Sequence, residues 1–213
     1  MARLLPLFPL QLVVFPGTAV PLHIFEERYR EMVGEAAAAG TEFGIVLTRD
    51  GGIVNSGCSV TVETVVQRYP DGRFDVMTRG QRRFMIQLID QEKDYLRGDV
   101  QFFEDEGDEP ASPELVHKAL AAFNTMRGAL SLDQPGEEPN SIDENDPFLS
   151  FRLADGIDDL DFRNMIQRSR SESERLRAFI QFSGAHVERK QYAAKMKTIA
   201  PTNGHGHKRV ASE

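Results

Sequence analysis

The 213 residues contain no tryptophan and a single cysteine, and no apolar run approaches the roughly eighteen uninterrupted residues of a membrane helix. With Cys58 alone, no internal disulfide can form, which fits a reducing cytoplasm. A basic excess is also missing. Lys and Arg number 25 against 33 Asp and Glu, for a formal charge of -8. That balance argues against general affinity for nucleic acid or an anionic membrane. No Gly-x-x-x-x-Gly-Lys-Ser/Thr run occurs, so the backbone cradle for ATP phosphates is lacking. No glycine-flanked serine is followed by a lysine in a peptidase-like setting. Residues Leu4 to Phe15 are apolar, but prolines interrupt them, Arg3 is their only nearby positive charge, and no small-x-small cleavage site follows closely. A signal peptide is therefore not expected there.

What is present is a 40% apolar share, enough for a real core. The chain is organised around its first forty residues. Pro6, Pro9 and Pro16 break the apolar run from Leu5 to Gly17, because each proline fixes φ and removes a donor. The spacing predicts an extended, kinked segment ending in a short strand from Leu12 to Phe15, with a turn at Pro16-Gly17. Phe25, Tyr29, Met32, Val33 and Ala36 then recur at helical spacing. They predict an amphipathic helix closing at Gly40, with Phe25 and Tyr29 both in the core.

Strand patterns follow at Phe43–Thr48, Ser59–Arg68, Phe74–Val76, Phe84–Leu88 and Leu96–Phe102. Turns are expected at Tyr69-Pro70-Asp71-Gly72 and at Arg79-Gly80. Five or six short strands with one early helix suggest a small closed or nearly closed barrel. The acidic, Gly- and Pro-containing run from Glu104 to Pro110 breaks every period and reads as a linker. Helices follow: one capped by Ser112-Pro113, shorter ones from Asp146 and Asp158, and a long one opened by a Ser171–Glu174 capping box. The division is thus a β part over 1–104, a linker over 105–111, helices over 112–200 and a disordered tail over 201–213. The fold class is α+β.

The run from Leu5 to Gly17, with Pro21-Leu22-His23-Ile24-Phe25-Glu26-Glu27-Arg28-Tyr29-Arg30-Glu31-Met32-Val33, resembles the N-terminal, substrate-binding domain of the Lon protease family. Phe43–Leu47, Gly57-Cys58, Pro70–Phe74 and Arg79–Phe84 look like its successive blocks, and about the first hundred residues match well. The resemblance implies a PUA-like β pseudo-barrel followed by a C-terminal helical bundle. It implies a stand-alone, non-catalytic module for protein quality control, without cofactor or metal. The implied partners are unfolded or tagged polypeptides, a Lon-type protease and further copies of the chain; neither nucleic acid nor membrane is expected.

Other constellations are weaker. Cys58 could be a nucleophile with His23 or His117 as base, but a cysteine after glycine in a strand-rich region reads as a small core residue. His205 and His207 could hold a metal, but with no nearby carboxylate or cysteine they read as a solvated pair. Arg79, Arg82 and Arg83, with Arg68 and Arg73 across the hairpin, form the only basic patch of the β part, and the first three are the candidate surface binding patch; the plainer reading pairs these arginines with acids such as Glu63 and Asp75. Residues 104–161 carry 16 acids and 3 bases, whereas 162–213 carry 11 bases and 4 acids, so the helices either pair with one another or offer a polar docking surface. Two further readings stay open: an RNA-binding PUA-like module, and a hydrolase suggested by the family label alone.

Overall fold

Residues 4–107, 110–129 and 142–199 are described by the computed structural model. The strands are β1 (Leu5–Leu10), β2 (Ala19–Ile24), β3 (Phe43–Arg49), β4 (Gly52–Arg68), β5 (Phe74–Asp90) and β6 (Arg97–Phe103), with helix α1 (Glu27–Ala39) between β2 and β3. Helices α2 (Pro113–Ala129), α3 (Leu149–Asp155), α4 (Leu160–Arg168) and α5 (Glu172–Ile199) follow. The expected tail and the His205/His207 pair lie outside the described residues.

Six strands make one sheet in the order β2-β5-β4-β3-β1-β6, and a further β5–β6 pairing closes five of them into a barrel. Only β1 and β3 run parallel. Closure depends on β4 and β5, each 17 residues long and bent at register shifts. The first part of β5 pairs with β2 and its last part with β6, so one strand serves two neighbours in turn.

Two sequence expectations change here. Arg79-Gly80 is not a turn but the middle of β5. Glycine is required there because a Cβ would collide with the Phe15 carbonyl oxygen, which crosses over this point. The early strand is Leu5–Leu10, not Leu12–Phe15. Val13, Val14 and Phe15 are buried outside any strand. Side chains of α4 satisfy their backbone instead of a ladder: Arg163 donates to Val13 O at 2.8 Å and Gln167 to Val14 O at 2.7 Å. The strand β2 had no counterpart in the sequence reading.

α1 ends as expected at Gly40, whose φ of 61° places it in the left-handed region that glycine enters without strain. Tyr29, Met32, Val33 and Ala36 bury its inner face against the barrel interior, Ile45, Val60 and Val76. Phe25 departs from the expectation. It precedes the helix start at Glu27, so the 3.6-residue period does not govern it, and it stands 59% exposed.

α2 and α5 pack together, with α3 and α4 against the same core. That core is shared, because Val13, Phe15 and Leu47 of the β part lie in it beside Leu153, Ile166 and Phe179. Phe15 stacks on Phe151 at 5.2 Å. The capping box is half formed: Ser171 Oγ accepts from the Glu174 N–H at 3.3 Å, while Glu174 turns to Ser169. Asp105, expected in a solvated linker, is clamped between helix and barrel. Arg175 grips both its oxygens, at 2.7 and 2.5 Å, and Arg83 adds a bond of 2.5 Å. Glu106 likewise pairs with Arg170, and Asp155 with Arg163. Segregated charge in the helical half is thus spent partly within the molecule.

Candidate functional site

A groove of about 860 Å³ opens at one mouth of the barrel. Four pieces of chain build it: the end of β1, the passage from β2 into α1, the β3–β4 hairpin and the β5–β6 connection. Its walls include Phe8, Leu10, Leu22 and Ile53, and Phe25 and Ile89 stand at it 59% and 40% exposed. The floor is closely packed: Phe8 and Tyr29 stack with centroids 4.2 Å apart and both are buried. Burial also raises the Tyr29 hydroxyl pKa, which the charge of Arg28 only partly offsets.

Arg28, Glu26 and His23 at the groove already have partners. Arg28 donates to the Glu26 carboxylate at 2.7 and 3.0 Å. His23 Nδ1 lies 2.5 Å from Asp75 Oδ1, and the Tyr69 hydroxyl donates to Asp75 Oδ2 at 2.7 Å. The bond from His23, and after it the one from Tyr69, lowers the Asp75 carboxyl pKa. Phe25 lies over the His23 ring at 6.0 Å. The site is therefore an apolar trough edged by polar side chains that are bonded to one another. Such a surface gains free energy by removing apolar area from water, not by attracting an ion.

The three arginines expected to form a patch do not act together. Arg79 is engaged by Glu63, as the plainer reading had it, and also donates to Gly17 O at 3.0 Å. Arg82 binds both oxygens of Glu42 at 3.0 Å and lies 3.7 Å over Phe102. Arg83 is buried at 5% exposure, where it donates to Gln167 O, Ser169 O and Asp105. It joins barrel to helices and has almost no surface to offer.

Cys58 is a core residue. Burial pushes its thiol pKa up to about 12, against the opposing effects of the Gln81 backbone bond and the Arg83 charge. His23 and His117 instead pair with Asp75 and Glu144. Among the described residues no cluster of His, Cys, Asp and Glu could hold a metal, and no helix is long and apolar enough to cross a membrane.

Residues 4–180, which span the barrel and the helices through the first part of α5, match the family model for the ATP-dependent protease La (LON) substrate-binding domain. The chain belongs to this family. Among solved structures, the Lon N-terminal domain protein from Xanthomonas campestris superposes with a TM-score of 0.65 at 27% identity, over 84% of this chain and 98% of that one. The N-terminal domain of the Mycobacterium avium complex Lon protease shares the fold, with a TM-score of 0.59 at 19% identity over 86% of this chain and all of the other. A Lon protease of Parabacteroides distasonis is 26% identical over 110 residues, 47% of this chain but 13% of that protein. The chain therefore spans only a small part of that relative's length.

The groove residues of this Lon-family chain were only partly legible. The sequence named none of them as contacts, and its helical period assigned Phe25 to the core. The available signal was position: Phe25 sits between the end of β2 and the helix start, where neither period holds it inward. Ile89 lay beyond the period-two set that ended at Leu88, and carried no separate signal.

Proposed function

We propose that this chain is a non-catalytic module that captures exposed apolar stretches of polypeptide in the barrel-mouth groove, for protein quality control alongside a Lon-type protease. The observation that carries the reading is the groove itself, an apolar trough with Phe25 and Ile89 at its rim and with Glu26 and Asp75 beside it already bonded. Concave, mostly apolar sites with a few polar groups at the edge are a usual form for a binding site. An unfolded segment supplies apolar side chains but loses conformational freedom on docking, so each engagement is weak and readily reversed. A non-catalytic role is supported by the sequence, which lacks the phosphate loop and offers no serine–lysine pair in a peptidase-like setting. The RNA-binding alternative is disfavoured because Arg79 and Arg82 already hold carboxylates and Arg83 is buried.

The test is fluorescence anisotropy with labelled, permanently unfolded carboxymethylated casein. Wild type should bind it, and Phe25→Ser with Ile89→Ser should weaken binding about tenfold or more, since two large apolar contacts are lost. Equal binding by the wild type and the double variant would remove the groove from the account.

A further inference from the structure

β2 is the open edge of the sheet, because among the described residues it pairs only with β5. Its outward-facing positions can be identified. Pro21 stands opposite Met77 and has no N–H to give, so the positions bonded to β5 are the alternate ones, Val20, Leu22 and Ile24. Two bonds set the same phase. Gly80 N donates to Thr18 O at 2.9 Å, and the Thr78 hydroxyl reaches Val20 O at 2.8 Å. The backbone groups of Ala19, Pro21 and His23 therefore face away from the sheet, and all three residues are exposed. This edge borders the groove, which Pro21, Leu22 and His23 help to line.

We propose that β2 accepts an extended, uncharged polypeptide segment as one further strand, with alternate side chains of the guest seated in the groove beside Phe25 and Ile89. The proposal rests on the reading that the groove binds polypeptide and specifies how. Backbone pairing gives affinity that does not depend on sequence, and the groove selects apolar residues at every second position. The guest is uncharged because Glu26 is held by Arg28, and Asp75 is already bonded to the His23 ring and the Tyr69 hydroxyl. A charged side chain would lose its water there without gaining a counter-ion. A second copy of β2 is a poorer guest. Two such edges meeting antiparallel about Pro21 would set proline against proline and lose both central donors.

The probe is a fluorescein-labelled ten-residue peptide of alternating valine and serine, with two versions N-methylated at every valine or at every serine. Valine in the groove fixes the phase, so only one set of N–H groups faces β2. One methylated peptide should lose affinity about tenfold or more, and the other should stay within about twofold of the parent. Equal affinities for the two methylated peptides would overturn strand addition. If those equal affinities are still weakened by Phe25→Ser, the groove stands and only the strand pairing falls. A parent peptide that fails to bind overturns both.

Discussion

At the scale of single residues, Phe25 and Tyr29 separate what a sequence period can and cannot tell. Both fall on one stripe by spacing, yet Tyr29 is buried in the helix and Phe25 sits at the groove before the helix begins. A period describes only the element that has it. Phe15 shows the reverse: it belongs to no element, yet it is fully buried, stacked on Phe151 and covered by the Arg163 guanidinium at 5.1 Å. Phe15→Ala should therefore lose about 3–5 kcal/mol of stability in urea unfolding. Phe25→Ala should lose no more than about 0.5 kcal/mol, because exposed sites seldom contribute more. Comparable losses at the two positions would reverse their assigned roles. The glycines give a second contrast. Gly80→Ala drives a methyl into the Phe15 carbonyl and should destabilise strongly, whereas Gly34, inside α1 with open space around it, should gain up to about 1 kcal/mol as alanine. Melting temperatures moving in opposite directions would bear this out; a tolerated Gly80→Ala would mean that the Phe15 crossing is not tight.

At the scale of elements, apolar periods found β3, α1, α2 and the helical succession but cut β5 in two. Gly80 resembles a turn residue in sequence, and only the long-range approach of Phe15 explains it. β2 escaped notice for a related reason: Pro21 looks like a breaker, yet on an edge strand its missing donor faces outward. The linker between barrel and helices was misjudged because composition cannot show that Asp105 meets Arg83 and Arg175. Burial alone would raise the Asp105 pKa, but its bonds to Arg175 and the charges of both arginines outweigh this and lower it. A carboxylate with a depressed folded-state pKa contributes stability above its unfolded value, near 4, and that contribution is lost as pH falls through the folded value. Wild type should thus weaken as pH drops below about 4. Asp105→Asn should be less stable at pH 7 by about 3 kcal/mol and show a flatter acid limb. Parallel pH–stability curves for the two proteins would show that this clamp does not govern acid sensitivity.

At the scale of the molecule, barrel and helices share one core through Val13, Phe15 and Leu47, and Arg83 with Asp105 ties the same seam. The sequence suggested two parts joined by a free acidic linker. The structure joins them by burial, so helical ellipticity and tyrosine near-ultraviolet signals, which report mainly on Tyr29, Tyr69 and Tyr95 of the barrel, should be lost in one coincident transition. Two separated transitions would mean that the halves fold independently. The groove lies at the barrel mouth, away from this shared core, and it is the centre of the functional account. The most direct measurement is a methyl NMR titration with the carboxymethylated casein. Leu22, Ile53 and Ile89 should shift or broaden together as casein is added, while Ile166 and Leu176, in the helical core, should not. Perturbations confined to the helical half, with the groove methyls unmoved, would contradict the account.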